Sequence, residues 1–128
     1  MSLFKKMFGR GESEATDVEV TLDSERRKAQ LSRLEAALDA LAAEMREEQS
    51  MDNPGWRARV NEYNRLAGEA MALRQGPLTR AAVLDLVFEV RPVFTSTMPE
   101  GMERIGPLQD EVMTAADDLR QLLPGERA

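Results

Sequence analysis

The sequence predicts an all-α protein: a helical hairpin with heptad seams, two further helices that complete a small bundle, and a flexible N-terminal tail. Three observations point there. Apolar side chains recur at alternating spacings of three and four, helix-capping residues stand at the breaks between those runs, and aromatics make up only 5% of the chain. A core built from Leu, Ala, Val and Met favours helices. The chain's 128 residues suffice for one domain and are too few for two. We divide it into a tip and linker over residues 1–17 and a helical domain over 18–128.

Taken in order, residues 9–17 (GRGESEATD) hold two glycines among small and acidic residues and read as a flexible linker. Val18, Val20 and Leu22 then alternate with Glu19 and Thr21, an extended lead-in, since one short strand forms no sheet alone. The first helix starts near Asp23 or Ser24, either of which can cap free N–H groups, and runs to Gln49. Leu31, Leu34, Leu38, Leu41 and Met45 form its seam, with alanines 36, 37, 40, 42 and 43 beside it.

A break follows at SMDNPGW, where Asn53 suits the cap and Pro54 the first helical position. The second helix runs to about Arg74, with Trp56, Val60, Tyr63, Ala67 and Ala70 on one face, and a short turn makes the two helices an antiparallel hairpin. Gly76 and Pro77 end it.

The third segment, LTRAAVLDLVFEVRPVF, is the densest apolar stretch and fits two periods. Val83, Val87 and Val90 with Leu84 and Phe88 fit a helix, whereas Leu84, Leu86, Phe88 and Val90 fit a strand. Thr79 can cap a helix and no partner strand exists, so a helix ended by Pro92 is expected. Being apolar nearly all round, it should lie at the centre of the bundle. Residues 95–106 read as a loop, and a last helix over Pro107 to Leu123 carries Leu108, Val112, Ala115, Leu119 and Leu122.

Composition excludes several chemistries. A net charge of −6 argues against nucleic acid as a partner of the body. The chain has no cysteine, so thiolate chemistry and disulfides are out, as suits a reducing cytoplasm, and no histidine, so imidazole bases and catalytic triads are out. No run approaches the ~20 apolar residues that cross a bilayer, and the N-terminus, interrupted by Lys5, Lys6 and Gly9, lacks a signal-peptide core.

Two acidic groups, Glu44, Glu47, Glu48, Asp52 and Asp110, Glu111, Asp117, Asp118, lack the alternation and turning glycine of a Ca²⁺ loop and read as solvated helix faces. Asp85 and Glu89 share a face at i,i+4 and read as the solvent edge of the third helix rather than an acid-base pair. GRG at 9–11 lacks the strand and the lysine of a phosphate loop. Trp56 and Tyr63 could stack on a ligand but fit a core face better. No cofactor and no metal is expected.

The opening MSLFKKMFGRGE is the functional lead. On a helix Leu3, Phe4, Met7 and Phe8 fall within ~140°, with Lys5 and Lys6 outside that arc. Residues 1–10 carry +3 (Lys5, Lys6, Arg10), so residues 11–128 carry −6 minus +3, or −9. Such a basic amphipathic segment can dock in a groove on a partner protein, lie in an anionic membrane interface, or fold back on the body of its own chain or stay without structure.

The sequence therefore leads us to expect a non-enzymatic cytoplasmic scaffold or adaptor that self-associates or binds a partner through its helical seams, with a membrane-surface role at the tip as the second use of residues 1–9. The alternative is a small-molecule-binding bundle with a pocket between Trp56, Tyr63 and the third segment.

Overall fold

The computed structural model describes residues 21–126. The tip, the linker, and Val18 and Val20 lie outside these residues. Among the described residues the regular elements are four α-helices, α1 (Ser24–Arg46), α2 (Pro54–Gln75), α3 (Arg80–Glu89) and α4 (Ile105–Arg120), and one 3₁₀ turn (Gln49–Asp52).

Each of the first three helices begins where its cap residue stands. Asp23 accepts from the Arg26 N–H, Asn53 from that of Gly55, and Thr79 from that of Ala82, each relieving a donor that a helix start leaves unpaired. α1 ends at Arg46, short of the expected Gln49, and the chain tightens into the 3₁₀ turn before Asn53 restarts it. Trp56 then ties the hairpin shut, its indole N–H donating to the Met45 carbonyl at 2.9 Å.

α1 packs on α2 and α4, α3 packs on α2 and α4, and the backbones of α1 and α3 do not approach each other closely. The side-chain pairs give the directions. Arg74 meets Glu35, Arg33 meets Glu111, Arg104 meets Glu44, and Arg65 meets Glu89, so successive helices run antiparallel. The result is an up-down-up-down four-helix arrangement with α1 and α3 on opposite corners.

The expected place of the third helix is therefore corrected: α3 is not central. The helix packed most extensively is α1, whose Leu31, Leu34, Leu38, Leu41 and Met45 are all fully buried. Pro92 is the reason. It stops α3 after ten residues, whereas α1 has 23, so α3 fills only part of its corner.

The remainder of that corner is filled by residues 91–104 in irregular conformation, with Val93, Phe94, Met98 and Met102 packed against the core. Backbone without a helix or sheet needs other partners. The Tyr63 hydroxyl donates to the Arg91 carbonyl, Arg59 to that of Pro92, and the Gln109 amide both donates to and accepts from the Phe94 backbone. Burial pushes the Tyr63 phenol up, so it stays a donor. Met98 closes over Gly106, where a Cβ would meet its sulfur at 3.4 Å.

α4 begins and ends earlier than the Pro107 to Leu123 expected from sequence. Ile105 and Gly106 donate to the Met102 and Glu103 carbonyls, which starts the helix before Pro107, and Pro107 then sits in the first turn, where no N–H is missed. At the other end Arg27 donates to the Leu119 and Gln121 carbonyls, and Arg80 to those of Leu119 and Arg120. Two guanidinium groups thus cap the negative end of α4, and Gln121 turns extended.

That turn lets Glu126 return to Arg27. Pro124 and Gly125 form its corner, with Gly125 at φ 95, a conformation other residues rarely adopt, and the Glu126 N–H donating to the Leu123 carbonyl. Arg27 and Glu126 then pair in two bonds of 2.9 and 2.5 Å, with their side chains 0% and 1% exposed. The same carboxylate accepts from the Asp23 and Leu123 N–H groups, so it joins the chain leaving α4 to the chain entering α1.

Bonding to Arg27, with the two N–H groups, outweighs burial and holds the Glu126 carboxyl at about 2, against an ordinary 4.5. A carboxyl with a depressed pKa stabilises the fold fully above its unfolded value and loses that contribution as it is protonated. Stability should therefore fall as pH drops from about 4.5 towards 2, and Glu126→Gln should flatten that slope while costing roughly 2–3 kcal/mol at neutral pH, measured by urea unfolding. Tyr63→Phe, which leaves the Arg91 carbonyl without its donor, should cost about 1–2 kcal/mol and speed amide exchange selectively within 91–98.

Candidate interaction surface

The seam residues expected from sequence are brought together, and they are spent inside the molecule. Leu31, Leu34, Leu38, Leu41 and Met45 of α1 meet Val60 and Tyr63 of α2 in one core, with Trp56 partly buried at its edge. A partner helix would have to displace α2 or α4 to reach them. Trp56 and Tyr63 are likewise committed. The Trp56 ring lies 6.1 Å from that of Phe94, and the Tyr63 hydroxyl holds the Arg91 carbonyl. The space beside Tyr63 is a shallow cleft of ≈190 Å³ edged by Arg59, Glu62 and Arg91.

The large apolar side chains that remain accessible among the described residues are Phe88 on α3, Leu122 just beyond α4 and Met71 on α2. Because α3 has helices on two sides only, its outward face shows Phe88 at 58% exposure, the most exposed large apolar side chain among the described residues. Each flank of α3 is a groove. The α3–α4 groove, ≈550 Å³, runs past Val87, Phe88, Pro92 and Met113, with Arg91, Asp117 and Arg120 at its edge. Arg120 lies over the Phe88 ring at 5.7 Å, a cation–π distance.

The α2–α3 groove, ≈430 Å³, has an apolar floor of Ala72, Leu73, Ala82 and Leu86 and three carboxylates, Glu69, Asp85 and Glu89. Asp85 and Glu89 are both exposed, in line with the solvent edge expected of them. Arg65 bridges Glu62, Glu69 and Glu89, and its guanidinium bonds hold the Glu62 carboxyl below the usual range.

Five of the eight acidic residues flagged in the sequence pair with arginines, Asp117 with Arg120 of its own helix. Arg104 takes Glu44 and Glu48, and Arg33 takes Glu111 and Asp118, which lowers the Glu111 pKa. Among the described residues no three or more acidic side chains converge as metal ligands would. Nor, among these residues, is any helix long and apolar enough to cross a membrane. No family model, curated protein or solved structure matches this chain.

Of the sequence-derived contact residues, Leu3, Phe4, Lys5, Lys6, Met7 and Phe8 lie outside the described residues. The grooves beside α3 escaped the sequence reading, although their signal was present. With Leu86 and Val90, the apolar residues Val83, Leu84, Val87 and Phe88 spread over ~200° of the helix, wider than two flanking helices cover.

The contrast between presented and packed side chains is directly measurable. Phe88→Ala should change unfolding free energy by no more than about 1 kcal/mol, because its ring is mostly in water, whereas Leu38→Ala should cost about 3–5 kcal/mol. Equal losses in urea titrations would show that Phe88 is packed.

Proposed function

We propose that this protein is a non-enzymatic scaffold or adaptor of the cytoplasm. Its helical body is a self-contained module that binds a protein partner or a second copy of itself, and residues 1–9 act as a docking element. The observation that carries this reading is the division of apolar surface. The α1 seam and the α2 residues that meet it are packed within the body, while Phe88 and the two grooves beside α3 keep apolar surface in water, the usual setting of a contact site.

Charge supports the same reading. The basic amphipathic tip, +3, is joined to a body of −9, an arrangement that suits a segment recognising a groove or an anionic surface rather than a catalytic centre. A membrane-surface role for the tip is the second reading, favoured by its two lysines beside four large apolar residues. We favour the scaffold or adaptor reading over the small-molecule alternative, since the polar ends of Trp56 and Tyr63 are bonded to the Met45 and Arg91 carbonyls.

Pull-down from native cells, comparing the full chain with one lacking residues 1–9, tests the docking role: partner capture should drop on deletion, and unchanged capture overturns it. Co-sedimentation with vesicles of rising anionic lipid content separates the second reading, which requires binding that grows with anionic lipid and disappears with the same deletion. Light scattering across concentrations reads self-association through the body.

A further inference from the structure

We infer that residues 3–8 of this chain dock in the α2–α3 groove of the same molecule. The inference shares with the proposed function the premise that residues 1–9 are a docking element, and it names the surface they occupy when no partner is present.

Charge selects the groove. The basic segment carries Lys5, Lys6 and Arg10 around its apolar face of Leu3, Phe4, Met7 and Phe8. The α2–α3 groove pairs an apolar floor with Glu69, Asp85 and Glu89, minus three, which the bridging Arg65 reduces to minus two. The α3–α4 groove is less apolar, and its charges are Arg91, Arg120 and Asp117, a balance of plus one that repels lysines. Like charges brought together at a contact disfavour it, so the two grooves are distinguished by sign.

Position agrees with charge. The chain enters α1 at Asp23, beside Leu123 and Glu126 at the end of α4, and Arg80 at the start of α3 reaches the same α4 end. The α2–α3 groove includes Gly76 and Pro77, immediately before α3, so it opens at the end of the bundle where the N-terminal segment arrives. Residues 9–20, at up to about 3.5 Å per residue, span on the order of 40 Å, more than the ~34 Å length of α1, so the groove is within reach. A tether this short holds its segment at an effective concentration of the order of millimolar, which lets a weak contact persist within one molecule.

The test uses the absence of native cysteine. A nitroxide on Ser2→Cys in the full chain should broaden the amide signals of Leu73, Ala82 and Leu86 and leave those of Met113 and Ala116 sharp. Lys5→Glu with Lys6→Glu should restore the broadened signals, and so should Asp85→Lys, an exposed change that leaves the core intact. Broadening confined to the α3–α4 groove, absent from both grooves, or indifferent to the charge reversals overturns the inference. So does broadening that appears when spin-labelled protein is mixed with isotope-labelled protein carrying no spin label, because the contact then lies between two copies. Groove contact without partner capture sinks the proposed function alone, and capture without groove contact sinks this inference alone.

Discussion

The burial of α1 is the constraint on which the other elements depend. A helix whose Leu31, Leu34, Leu38, Leu41 and Met45 are all fully removed from water needs cover on more than one side, and α2 and α4 provide it. Once those two flank α1, the remaining corner is defined by them and not by the helix that comes to occupy it. α3 is a helix by its own periodicity and cap, yet its place is peripheral, because Pro92 leaves it too short to line the whole core.

Arginine does much of the joining around that frame. Arg27 and Arg80 cap the end of α4, Arg33 reaches from α1 to two carboxylates on α4, Arg104 just before α4 reaches Glu44 of α1 and Glu48 beyond it, Arg65 links α2 to α3, and Arg59 holds residue 92. The forked guanidinium can serve two acceptors at once, which a lysine ammonium does with less geometric definition. Exposed pairs of this kind add little stability singly, so their effect is to fix which helix lies beside which. This joining gives a structural use to the chain's excess of arginine over lysine.

Most of the helices were legible because their signals are local. Asp23, Asn53 and Thr79 are chemical marks for a helix start, and a period of three and four marks a face. Relations between distant residues were not legible in the same way. Nothing around Glu126 distinguishes it from other terminal glutamates until Arg27 and the Asp23 N–H are seen beside it, 99 and 103 residues away in the chain. The same holds for the surface. The all-round apolarity of α3 was read as centrality, but it also fits a helix with one face left open, and only the length of α3 relative to α1 decides between them. The basic tip is marked by its own residues, whereas the acidic groove we assign to it is made of Glu69, Asp85 and Glu89, which only the fold brings together.

The joining of Asp23 to Glu126 has a mechanical side. When the N-terminal segment is held by a partner or a surface and load comes through the C-terminal end, the pulling points sit together at one end of the bundle, so the force does not run along the helices. It falls first on the Arg27–Glu126 pair and the turn at Pro124 and Gly125. The closure that joins them consists of hydrogen bonds and one turn, and none of its members belongs to the Leu31 to Met45 seam.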